Sequence, residues 1–135
     1  MPAMVMAHEV DPKQEILDKL GDLSGVELFH NQVLVATYLR PSKTKSGIYL
    51  TDSTKQEDKY QGKVGLVLKL GPKAFVSDDK TDFDGLKVEV GDWIFYRPSD
   101  GWPQTVMGPG GPVDCRVFDN EFLIRGRIDS PDAIY

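Results

Sequence analysis

The chain has little of what most catalysts need. Its 135 residues include one cysteine, Cys115, and two histidines, His8 and His30. A single thiol cannot form an intrachain disulfide, which fits a reducing compartment. Neither histidine can be placed beside that thiol from the sequence, so Cys115 is expected as a small, half-buried strand residue rather than a nucleophile. Long apolar runs are missing too. Nothing approaches the roughly 20 residues needed to span a bilayer, so no membrane partner is expected. The first ten residues lack the basic start of a signal peptide, and none is expected. Basic charge is short: sixteen Lys and Arg face twenty-one Asp and Glu, a net charge of −5. Such a chain lacks the phosphate-neutralising stripe that dominates nucleic-acid binding, so nucleic acid is not an expected partner.

Catalytic and metal signatures are likewise missing. There is no HExxH, no paired CxxC and no GxSxG. The Gly-Pro-Gly-Gly at 108–111 lacks the Lys-Ser/Thr of a phosphate loop, and its proline removes an N–H donor; a hairpin tip accounts for it better. Asp78, Asp79, Asp82 and Asp84 invite a calcium reading. Aligning Gly85 with the glycine of a calcium loop places Lys80 at the first ligand and Gly91 at the bidentate carboxylate, so the motif fails. Residues 77–87 read as a solvated acidic loop. No metal, no cofactor and no enzymatic activity are expected.

What is present is turns and short apolar segments. Thirteen glycines and nine prolines punctuate a chain whose length suits one domain with one modest core. Residues 1–10 are apolar without a period and read as an arm carrying Met4, Val5 and Met6. Asp11 is a good N-cap, Pro12 suits the first helical position, and Gln14 completes a capping-box-like pattern. This predicts a helix over 12–20, ended by Gly21. Ile16, Leu17, Leu20 and Leu23 share one side, which must pack on the chain's own domain or on another subunit. The N-terminal extension is thus residues 1–25.

From about residue 26 the pattern is β. Val33, Val35, Thr37 and Leu39 alternate with Leu34, Ala36 and Tyr38; both faces are apolar, so this strand is buried on both sides or lies at an interface. Residues 64–70 alternate as a second strand. Short β pieces are predicted at 88–90, 93–97, 113–118 and 121–125. Residues 98–112 read as mostly loop, with Trp102 packed. Many short strands between turn signals predict a small barrel or sandwich over 26–135.

Between the first two strands lies a long polar loop, 41–63, with one apolar island. Gly47 precedes Ile48, Tyr49 and Leu50 within Ser-Lys-Thr-Lys-Ser-Gly-Ile-Tyr-Leu-Thr-Asp. Burying such side chains on a partner releases about 1.5–3 kcal/mol each before ordering costs.

At this loop the sequence resembles the GroES-type co-chaperonins. The stretch NQVLVATYLRPSKTKSGIYLTDSTKQEDKYQGKVGLVLKLGP is similar to the family's first strand, mobile loop and following strand, and KVEVGDWIFY to its Val-x-Val-Gly-Asp segment. A weaker likeness runs through NEFLIRGRIDSPDAIY. The resemblance implies an all-β fold, a small partly open β-barrel with a roof-like hairpin region (98–118 here). It implies a non-enzymatic role in which Ile48, Tyr49 and Leu50 dock on a chaperonin ring. GroES-like chains with such extensions resemble products of tailed-phage head gene clusters. The leading expectation is therefore a capsid decoration subunit of the virion. Its extension (Met4, Val5, Met6, Ile16, Leu17, Leu20) and loop (Gly47, Ile48, Tyr49, Leu50) would grip coat subunits within a larger assembly. The alternative is a true co-chaperonin, cytoplasmic, capping a chaperonin ring.

Overall fold

A computed structural model of the chain describes residues 11–39, 63–75 and 88–131. Helix α1 (Pro12–Leu20) comes first, followed by strands β1 (Val33–Thr37), β2 (Val64–Leu70), β3 (Trp93–Tyr96), β4 (Trp102–Gly108) and β5 (Gly111–Phe118). A 3₁₀ turn (Glu121–Leu123) leads into β6 (Ile124–Ile128). Among the described residues the strands form one antiparallel sheet in the order β4-β5-β1-β2-β3-β6, open at β4 and β6. The all-β, partly open architecture is the expected one.

Helix α1 begins and ends as its sequence dictates. The Asp11 carboxylate accepts from the Lys13 N–H at 3.4 Å, and Pro12 occupies the first turn. Gly21 ends the helix at φ 64°, its N–H reaching the Leu17 carbonyl at 3.0 Å. The capping-box role of Gln14 is not realised: its amide donates to Asp18 at 2.7 Å, one turn on.

Every residue of β1 is buried, and the reason is two cores on one sheet. Leu34 and Ala36 join Leu20, Tyr38, Val64, Leu66, Leu68, Trp93, Val113 and Cys115 on the face covered by α1. Val33 and Val35 join Val67, Phe75, Val88, Ile94, Tyr96 and Phe118 on the other. The doubly apolar pattern thus marks a strand buried within its own chain. The second face closes on itself, because Tyr96 of β3 meets Phe118 of β5 across it, 4.9 Å between ring centroids. Register slips between Leu34 and Val35 and between Phe95 and Tyr96 bend the strands that must curl to allow this.

Three stretches differ from expectation. Residues 121–125 are not one strand: Glu121–Leu123 is a 3₁₀ turn and β6 runs over Ile124–Ile128. Residues 88–90 form no strand. The Asp92 carboxylate accepts the Glu89 N–H at 2.9 Å and folds this stretch into a turn before β3. Residues 102–108 are a strand, not a loop. Their proline, Pro103, is tolerated because β4 is the sheet edge. The tip at 108–111 closes the β4–β5 hairpin as expected, with Gly108 opposite Gly111.

Candidate partner-binding site

The loop's apolar residues and the start of the extension (Gly47, Ile48, Tyr49, Leu50, Met4, Val5 and Met6) lie outside the described residues, as does the acidic loop 77–87. The root of the loop is described, and it is held by backbone hydrogen bonds. The chain leaves β1 through Tyr38 and re-enters the sheet at Lys63. The Tyr38 N–H donates to the Val64 carbonyl at 2.9 Å, and the Tyr96 N–H donates to the Lys63 carbonyl at 2.9 Å. The Tyr38 side chain is buried and meets Trp93 edge-on, 5.9 Å between centroids. On the opposite face Gly65 permits β1 and Tyr96 to approach closely: a Cβ there would fall 2.2 Å from Val35 Cγ1. The loop therefore springs from two adjacent, hydrogen-bonded strands. Such a root fixes where the loop begins.

The helical part of the extension is placed differently from the leading expectation. Leu20 is 1 % exposed and belongs to the chain's own core. Ile16 and Leu17 are half-buried and pack against the same cluster. Leu20 is thus corrected from a partner-facing residue to a core residue, since α1 already has an apolar surface to lie on. Its C-terminal end is locked to the hairpin tip, where the Gly110 N–H donates to the Lys19 carbonyl at 3.0 Å. A Cβ on Gly108 would sit 2.2 Å from that carbonyl oxygen.

Trp102 also departs from its expected packed position. It is 64 % exposed, and its indole N–H donates to the Asp119 carboxylate at 3.3 Å. The 97–101 connection before it is pinned by a residue that no sequence motif singles out. Arg116 is buried in β5 and donates to the carbonyls of Pro98 at 2.6 Å and Asp100 at 2.7 Å. Its guanidinium also lies over the Tyr96 ring.

Among the described residues no group of three or more His, Cys, Asp or Glu could hold a metal. No described helix is long and apolar enough to cross a membrane. Burial, reinforced by the charge of Asp114, pushes the Cys115 thiol up to about 12, so it is not a thiolate near neutral pH. A polar hollow of about 440 Å³ lies between Asp11, Lys13, Asp92 and Arg127. The ion pair of Asp92 with Arg127, at 3.4 Å, already balances charge there.

The sequence matches the protein family described as Chaperonin 10 Kd subunit over residues 26–110, well over half of the chain. A search of the curated proteins finds no match. Helix α1 and strands β5 and β6 lie outside the matched region. With a partly open antiparallel sheet and a long loop sprung from its first two strands, the chain belongs to the Chaperonin 10 Kd subunit family, the GroES-type co-chaperonins that its loop resembles.

Proposed function

We propose that this protein is a co-chaperonin: a non-enzymatic, cytoplasmic subunit that helps cap a chaperonin ring and engages it through Ile48, Tyr49 and Leu50. One observation carries the reading. The chain inserts residues 38–63, with a single apolar tripeptide in polar surroundings, between two strands that are hydrogen-bonded neighbours. An insert this long between paired strands is not needed to connect them. A polar loop with one apolar island suits a ligand that orders on its partner.

The coat-binding alternative drew on the extension as a grip on neighbours. Among the described residues nothing favours it, because α1 lays its apolar face on β4 and β5.

The test is nucleotide-dependent co-sedimentation with a chaperonin ring. The wild-type chain should bind and alter the ring's ATP hydrolysis. Ile48→Ser and Leu50→Ser should each lower affinity about 10-fold or more while leaving the barrel folded. Equal binding by both variants would overturn the assignment.

A further inference from the structure

We propose that strand β4 takes up an extended segment of a non-native polypeptide as a further strand of the sheet, and prefers segments with lysine or arginine among apolar residues. The inference goes beyond ring docking through Ile48, Tyr49 and Leu50 and does not depend on it. It starts from the register of the β4–β5 hairpin. Gly108 faces Gly111 across a two-residue turn, so these two exchange hydrogen bonds, and every second pair along the ladder does the same. Trp102, Gln104 and Val106 therefore direct their backbone groups at β5, whereas Pro103, Thr105 and Met107 aim theirs away from it. The prolines agree with this register. Pro103 sits at one of the outward positions, and Pro112 opposes Met107 at a pair that exchanges no bonds. Among the described residues β4 ends the sheet. The N–H and C=O of Thr105 and Met107, with the C=O of Pro103, thus face the place of a new strand.

This edge lacks the charges that usually guard one. More than a quarter of the chain is charged, yet residues 101–113 carry no Asp, Glu, Lys, Arg or His. Trp102 is 64 % exposed and Met107 74 %. The edge is also held ready. Arg116 fixes the turn entering β4, the Asp119 carboxylate holds the indole of Trp102, and α1 braces the tip through Gly110. Pre-organisation of this kind lowers the ordering cost of association.

The occupant follows from what such an edge can read. Backbone hydrogen bonds select an extended chain whatever its sequence, and its side chains meet a flat indole and a pliable methionine that tolerate many shapes. Folded proteins keep their own apolar edges paired or covered. A chain that offers a free apolar stretch in extended form is therefore one that has not folded. Charge sets the preference. Asp114 stands opposite Thr105 in the middle of the open stretch, Asp100 precedes it, and the whole chain carries a net charge of −5. An incoming lysine or arginine is attracted there and an acidic segment repelled.

Fluorescence anisotropy with labelled lysozyme tests this on the full chain. Reduced and carbamidomethylated lysozyme, which is unfolded and basic, should bind, and native lysozyme, with the same charged side chains, should not. Equal binding of the two would mean that charge alone acts and would overturn the proposal, as would binding of neither. A peptide alternating valine with lysine should displace the unfolded lysozyme, and its counterpart with glutamate for lysine should do so at least about 10-fold less well. Thr105→Pro removes an outward N–H without touching the ladder to β5, and should weaken binding at least about 10-fold with unchanged circular dichroism. Should that variant lose its fold, Met107→Lys, which puts a cation on the edge, decides the question by the same measure. Undiminished binding by the folded variant, or peptides that compete equally, would overturn the proposal. So would an edge already filled by a second copy, seen as a wild-type assembly that ignores unfolded lysozyme and comes apart in Thr105→Pro. Ile48→Ser, which tests chaperonin binding, should bind unfolded lysozyme as the wild type does, so the two readings fail separately.

Discussion

The ring of Tyr96 meets that of Phe118 edge-on at an interplanar angle of 64°, although β1 and β2 lie between their strands in the sheet. The contact is what turns an open sheet into a curled one. It also places Tyr96 where its N–H can hold Lys63 at the loop root. Phe118→Ala removes a fully buried side chain at that closure and should cost about 3–5 kcal/mol. Urea unfolding followed by circular dichroism measures it. A loss below about 1 kcal/mol would mean that the closure contributes little.

The seat of α1 on the hairpin tip depends on glycine at two positions, Gly108 and Gly110, where an added Cβ would fall 2.2 Å and 2.8 Å from Lys19 backbone atoms. Gly108→Ala would drive a Cβ into the Lys19 carbonyl, with backbone on both sides and no flexible side chain to give way. It should lift the end of α1, and amide exchange over 12–20 should accelerate at least 10-fold. Gly25→Ala is the control, because no atom lies within 4 Å of the added methyl. That change should leave exchange in α1 as it is.

Much of this fold is legible in the sequence because local signals and burial agree. Asp11, Pro12 and Gly21 bound α1, and alternating aliphatics mark β2, since each feature is satisfied within a few residues. The doubly apolar β1 was readable as buried, but not by what: its second cover is α1 and the segment up to Leu28, remote in sequence. Strand β4 was hidden by its proline and glycines, which signal loops everywhere except on an edge. The role of Arg116 was invisible because it depends on where the Pro98 and Asp100 carbonyls arrive in space. For the candidate site, the sequence shows the loop and its apolar tripeptide, whereas the root beneath it emerges only when Tyr38, Lys63, Val64 and Tyr96 are brought together.

Cys115 makes stability depend on alkaline pH. Its folded pKa, about 12, is raised from 9.0, chiefly by burial. The protonated thiol is therefore favoured in the fold. The contribution is fully present below about pH 9 and is lost as pH rises toward 12, with a slope of up to about 1.4 kcal/mol per pH unit. Cys115→Ala should flatten the stability curve over that window relative to wild type. Alkylation of the native protein at pH 8 should be slow and become fast in urea. Rapid native alkylation would contradict the burial.

Arg116 offers the sharpest separation of charge from geometry. Its guanidinium supplies donors to two carbonyls and lies over an aromatic ring, all from a side chain buried in β5. Arg116→Met keeps the aliphatic volume but leaves the Pro98 and Asp100 carbonyls without their charged donor, at a cost of about 2–4 kcal/mol. Arg116→Lys restores a charge but not the planar fork, so it should recover less than half of that loss. Both variants should speed amide exchange through 97–101 and broaden the environment of Trp102, the exposed tryptophan. Iodide quenching would report this, because Trp93 is buried and contributes little to the quenchable signal. Full recovery by Arg116→Lys would show that charge alone holds the turn, whereas recovery confined to arginine ties the presentation of Trp102 to the guanidinium fork.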